Sequence, residues 1–174
     1  MNKGDSDLMT KSRVDAGFQW TSDVNEADIA LYNTCSVREH AEVRATGIIT
    51  ANNGILRKKG GLTVVAGCMA QRLGEELIQR GVADVIIGPY QSPLAGSIVR
   101  EYVDARGGAV FLSQKKEDLA TRISDDLAET GQENPWHRWV TITHGCDNRC
   151  SYCIVPVVRG GLVSFPSPVI LRHL

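Results

Sequence analysis

Three of the chain's five cysteines fall within one short stretch, GCDNRCSYC, Gly145 to Cys153. Cys146, Cys150 and Cys153 have the spacing C-x-x-x-C-x-x-C. Three thiolates this close in sequence converge only if the loop between them wraps around something. Thiolates are the ligands of zinc and of iron–sulfur clusters. Three of them leave one corner of a cubane cluster without a protein ligand, and an open metal position is what chemistry on a bound substrate requires. The spacing alone also admits a structural zinc site completed by His144 or His137, or three unrelated cysteines that simply fill core.

The other two cysteines, Cys35 and Cys68, each stand just past a run that reads as a buried strand. Ile29 to Asn33 (IALYN) precedes Cys35, and Leu62 to Ala66 (LTVVA) precedes Cys68 with Gly67 between. In a parallel sheet these strand ends face one edge, so the two sulfurs can approach each other there. A core role suits either cysteine taken singly. Equivalent placement at two strand ends favours a shared metal site, although two thiolates do not complete one.

The elements that must hold these residues alternate. Further strand-like runs occur at Ala83 to Ile87 (ADVII) and Ala109 to Leu112 (AVFL). Helical patterns lie at Asp5 to Ala16, Ser36 to Lys59 (with a weak point at Asn52-Asn53-Gly54), Leu73 to Arg80 and Gln91 to Arg106. Strand and helix in turn predict an α/β fold with a parallel sheet over residues 1–112. Residues 113–138 are rich in charge, Gln, Asn and Pro and read as a linker. Trp139 to Thr143 (WVTIT) then reads as a fresh strand leading into the cysteine loop, with no clear element in Ser164 to Leu174.

With 43% hydrophobic and 22% charged residues the chain is expected to pack a core. A net charge of −1 gives nucleic-acid binding no support. The one basic cluster, Arg57-Lys58-Lys59, suits a solvated helix end as well as a phosphate site. No apolar run approaches a membrane span, and the first residues, Met1 to Asp7, do not form a secretory signal. A cytoplasmic location is therefore expected, where five cysteines point to metal binding or catalysis before disulfides.

Four segments together resemble the radical-SAM methylthiotransferases: NTCSVREHAE (Asn33 to Glu42), AGCMAQ (Ala66 to Gln71), IIGPYQ (Ile86 to Gln91) and GCDNRCSYCIVPVVRG (Gly145 to Gly160). NTCSVRE resembles the branch that adds a methylthio group to isopentenyladenosine next to the anticodon of tRNA. The resemblance implies a flavodoxin-like or Rossmann-like N-terminal domain at residues 1–112, followed at residues 139–174 by the beginning of a radical-SAM barrel. It implies two 4Fe-4S clusters. Cys146, Cys150 and Cys153 match the ligands of the cluster that binds S-adenosylmethionine (SAM), with Tyr152 packing near the adenine end of SAM or shielding the cluster. Cys35 and Cys68 match two of three ligands of an auxiliary cluster that supplies or carries sulfur. Asp147, Asn148 and Arg149 are expected to shape the loop and not to catalyse.

The resemblance also implies incompleteness. Met1-Asn2 resembles the tail of a C-x-M-N motif, which would leave the third auxiliary ligand and a first strand upstream. That strand would belong in the middle of the sheet, so the strands at Ile29 and Leu62 would each lose a neighbour. After Arg159-Gly160 the chain departs from the family pattern, with Gly161-Leu162 and Phe165 where an Arg-Glu pair and an arginine are usual. The implied partners are tRNA and an electron donor such as flavodoxin or ferredoxin, for a monomer without membrane attachment. Two other readings stay open: a non-catalytic metal-binding fragment, and a relative acting on threonylcarbamoyladenosine in tRNA or on a ribosomal-protein aspartate. The isolated chain is expected to lack activity.

Overall fold

The computed structural model describes residues 2–105, 110–111 and 140–171. Its frame is a parallel sheet in the order β1-β2-β3-β4, formed by Ile29–Thr34, Leu62–Gly67, Val85–Ile87 and Val110–Phe111. The strand β2 is buried from Thr63 onward. A near-continuous apolar run is what a strand covered on both faces requires. Alternate residues divide between the two faces. Val64, Ala66, Val85 and Ile87 pack with Met9 of α1 (Asn2–Asp15) and with Ala95, Ile98 and Val99 of α4 (Ala95–Asp104). Val65 and Ile86 pack on the opposite face, against Ile49 of α2 (Glu39–Arg57) and Met69 and Leu77 of α3 (Cys68–Gln79). The result is a three-layer α/β arrangement.

Two expectations about this frame change. The strands β1 and β2 are not held apart by a gap. They pair directly, from Ile29 opposite Leu62 to Thr34 opposite Gly67. Equal length and matching register let their backbone groups satisfy each other, and β1 becomes the edge strand. An open cleft of about 1630 Å³ runs along it between α1 and α2.

The helix expected at Leu73 begins five residues earlier, at Cys68 itself. Gly67 makes this possible. Its backbone (φ 89°, ψ −154°) turns the strand straight into the helix. A Cβ there would stand 2.4 Å from the Thr34 carbonyl oxygen. AGCMAQ is therefore a strand end joined to a first helical turn.

The weak point in α2 stays helical because its asparagines are occupied. Asn53 donates to the carbonyls of Gly81 and Val82 (3.0 and 3.2 Å) and accepts from Thr63 and Arg57 (3.0 and 3.1 Å). Asn52 donates to the Tyr32 hydroxyl at 2.9 Å. The basic cluster beyond it is likewise engaged in the fold. Arg57 also donates to the Gly81 carbonyl at 2.7 Å, and Lys59 Nζ to the carbonyls of Asn25 and Ala27 at 2.6 and 2.9 Å. That is a helix-end role, and no phosphate site is needed to explain it.

Residues 113–138, read as a linker, lie outside the described residues. Beyond them a strand is expected at Trp139 to Thr143; Trp139 lies outside the described residues, and among the rest the strand is the short β5, Thr143–His144, paired antiparallel with β6, Val163–Ser164. Between these lie the cysteine loop and α5, Val155–Arg159. The C-terminal stretch without an expected element contains α6, Ser167–Leu171, where the amides of Val169 and Ile170 bond back to the Pro166 carbonyl. This second unit packs onto the first through Phe165, which is buried with Leu8 of α1 and Tyr90 of the 3₁₀ helix Pro89–Leu94.

Candidate functional site

The strand register places Cys35 and Cys68 immediately after the paired residues Thr34 and Gly67, at the C-terminal edge of the sheet. In open α/β folds this is the edge where ligands bind. Cys35 is half-buried and its sulfur accepts from the Val37 amide at 3.5 Å. Cys68 is buried at the first position of α3. Burial pushes the Cys68 thiol up. Arg159 works against that shift, while the charges of Asp5 and Cys35 add to it.

The loop of Cys146, Cys150 and Cys153 is anchored at its start. Gly145 has φ 74°, and a Cβ there would meet the Gly161 carbonyl oxygen at 2.1 Å. The Cys146 amide donates to Gly160 at 3.1 Å, and Asp147 accepts from the Leu162 amide at 2.8 Å. Asp147 therefore braces the loop, as expected. The Cys153 amide closes a turn on the Cys150 carbonyl at 3.0 Å. Cys146 and Cys153 are half-buried, Cys150 is exposed, and Tyr152 is 90% exposed with its ring turned outward. All five cysteines are free. Among the described residues no group of three or more His, Cys, Asp or Glu side chains is gathered as a metal site. The donor set nevertheless fits a soft metal or an iron–sulfur cluster. It is three thiols on an accessible turn with a fixed entry, and cluster ligation in proteins is by cysteine thiolates.

A buried arginine links the two regions. Arg159, at the end of α5, is 3% exposed. Its Nε donates to Cys68 Sγ at 3.1 Å, Nη1 faces His144 Nε2 at 3.1 Å, and Nη2 pairs with the Asp5 carboxylate. The Tyr90 hydroxyl donates to the Arg159 carbonyl, and the Tyr90 ring lies 4.9 Å from that of His144. Burial first, and then the arginine charge, lower the His144 pKa to about 4, so the imidazole is neutral. A guanidinium can only donate. Nε2 therefore accepts and the proton sits on Nδ1, which is buried without a partner among the described residues. Burial raises the Asp5 pKa in spite of the ion pair. Burial alone would lower that of Arg159, but its contacts with Asp5 and Cys68 outweigh the cost and hold it up. The two shifts are opposite sides of one contest between desolvation and attraction, and the arginine stays charged.

This hub was not legible in advance. The helix expected from Asp5 begins at Asn2, and the Asp5 side chain is buried against Arg159. His144 reads as a zinc ligand candidate, but its Nε2 faces Arg159; His137 lies outside the described residues. Arg159 ends an apolar VPVV run, where an arginine usually reaches solvent. No spacing signal joins residues 154 positions apart.

The profile of the uncharacterized protein family UPF0004 matches residues 1–88, half of the chain. Three curated relatives carry the same name, tRNA-2-methylthio-N(6)-dimethylallyladenosine synthase. Those of Geobacter sulfurreducens, Fervidobacterium nodosum and Dictyoglomus thermophilum are 41%, 35% and 34% identical over the whole of this chain. The chain spans 38–39% of the length of these relatives.

Proposed function

The chain belongs to the uncharacterized protein family UPF0004, and we propose that it carries the cluster-binding part of a radical-SAM tRNA methylthiotransferase. The observation that carries this reading is the match of the whole chain, cysteine segments included, to relatives sharing one enzyme name. In this reading residues 1–112 are the methylthiotransferase N-terminal domain and residues 139–174 the start of the radical-SAM domain.

Cys146, Cys150 and Cys153 would hold the 4Fe-4S cluster that binds SAM. When bound, that cluster supplies an electron for reductive cleavage of SAM. The anchored entry at Gly145 and the Asp147 brace hold the loop, and exposed Tyr152 is free to cover the bound SAM. Cys35 and Cys68 contribute two thiolates to an auxiliary cluster at the sheet edge. The substrate is isopentenyladenosine beside the anticodon. The partners are tRNA and a flavodoxin or ferredoxin, and the protein acts as a cytoplasmic monomer. No helix among the described residues is long and apolar enough to cross a membrane. A second reading, a metal-binding chain without catalysis, draws on the accessibility of the loop, where Cys150 is exposed and Cys146 and Cys153 are half-buried.

Anaerobic reconstitution with iron and sulfide tests both. The expected result is cubane-type absorbance and an EPR signal that changes when SAM is added. Cys150→Ala should remove most of it, since two thiolates seldom retain a cluster. Tight stoichiometric zinc with no iron–sulfur signal would favour the second reading. Nucleoside analysis of isopentenylated tRNA, incubated with the protein, SAM and a reductant, should show no methylthiolation by this chain alone, and measurable product would overturn that expectation.

A further inference from the structure

We propose that the first unit templates the cysteine loop of the second. Asp5 and Tyr90, acting through Arg159 and His144, are positioning residues that hold the two ends of the loop bearing Cys146, Cys150 and Cys153. Metal binding at the loop is thereby coupled to docking of the two units. The proposal rests on the reading of these three cysteines as metal ligands.

The loop leaves after His144 and returns at Arg159. Backbone contacts close its neck. The Cys146 amide donates to the Gly160 carbonyl at 3.1 Å, and a Cβ on Gly145 would stand 2.8 Å from the Arg159 carbonyl oxygen. The two side chains that flank this neck are both buried, and both reach into the first unit. The His144 ring lies 4.9 Å from that of Tyr90, and Arg159 pairs with Asp5 of α1. Arg159 Nη1 meets His144 Nε2 at 3.1 Å, which ties the two ends to each other. Tyr90 acts twice, because its hydroxyl donates to the same Arg159 carbonyl that Gly145 approaches. The three thiols stand beyond the neck and none of them is buried. Their mutual approach is therefore governed by how the neck is held. A ligand set with fixed ends loses less conformational freedom when it closes on a metal. Partners that orient metal ligands from behind are worth about 10–100-fold in affinity. Such coupling is reciprocal, so whatever docking contributes to metal binding, the metal returns to docking.

The probe is Co²⁺, added anaerobically to the metal-free chain and read by the thiolate-to-cobalt charge-transfer absorbance that Cys150→Ala removes. Asp5→Asn should weaken this binding about tenfold or more, and Tyr90→Phe should weaken it by a smaller factor. The control is Ile49→Ala, which opens a cavity in the core on the far face of the sheet. It destabilises the first unit away from the hub and should bind Co²⁺ as the parent does. In the reverse direction, Co²⁺ should slow hydrogen exchange in α1 and in Pro89–Leu94 of the parent chain, and less so in Asp5→Asn. Unchanged affinity in Asp5→Asn, equal weakening in Ile49→Ala, or equal protection by Co²⁺ in parent and Asp5→Asn would overturn the proposal. Should Asp5→Asn fail to fold, Tyr90→Phe carries the same comparisons. If no cobalt signal depends on Cys150, the ligand reading of the loop fails, and the metal-free chain still decides the positioning. Alkylation of half-buried Cys146 and Cys153, referenced to exposed Cys150, should then rise severalfold in Asp5→Asn and stay at the parent level in Ile49→Ala. Labelling in Asp5→Asn equal to that of the parent would refute it.

Discussion

Asp5 and Arg159 show how much one buried charge depends on its partner. Both are almost fully out of water, and each is tolerable because the other is present. Removing one member of such a pair leaves an uncompensated charge in the interior, a cost of about 3–5 kcal/mol. Asp5→Ala is therefore expected to lower the unfolding free energy read from a urea titration by an amount of that order. Tyr90→Phe keeps the ring against His144 and loses only the hydroxyl bond to the Arg159 carbonyl, so about 1 kcal/mol is expected in the same assay. Equal losses in the two variants would mean that the ion pair does not dominate the network. The cysteines were legible because their spacing is local, whether C-x-x-x-C-x-x-C or one residue past a strand. The residues that brace them were not, because a contact between positions 5 and 159 leaves no periodic trace.

At the level of the element, the strand and helix runs were legible in kind, because β2 is apolar but for Thr63, β3 is apolar throughout and the helices carry spaced apolar residues. Their ends were not. α3 starts at the cysteine because a glycine with positive φ permits an abrupt turn, and apolar periodicity does not register a turn. Gly67→Ala should therefore be costly. The left-handed backbone alone is worth about 1–3 kcal/mol, and the added Cβ meets the Thr34 carbonyl oxygen at 2.4 Å. The displacement falls directly before Cys68, at the first position of α3. Gly47 is the opposite case. It is exposed within α2, with nothing within 4 Å of an added Cβ. Gly47→Ala should stabilise by roughly 0.5–1 kcal/mol, because alanine loses less backbone freedom in a helix. Denaturant titration of the two variants checks both signs. A stabilised Gly67→Ala would contradict the tight turn.

Across the whole molecule, the question is what keeps the second unit on the first. Charge contributes through Arg159, but the apolar contact rests on Phe165. It is 5% exposed and packs with Leu8 and Tyr90, while Ile170 of α6 covers the cluster from outside. From the sequence this phenylalanine is conspicuous only because the resembled family usually has an arginine there. In the fold it is a packing anchor. Phe165→Ala should cost about 3–5 kcal/mol in contacts across this junction. The parallel sheet has separate apolar clusters on its two faces, neither of which includes Phe165. The loss should therefore be local. Limited proteolysis of Phe165→Ala should cut within residues 140–171 under conditions where the parent chain resists, while α2, β2 and α3 stay protected in hydrogen exchange. Cys68 should become more accessible at the same time, because Arg159 leaves with the unit that carries it. If exchange instead accelerates evenly through β2 and the 140–171 segment, the two units unfold as one, and the division of the core into separable clusters is wrong.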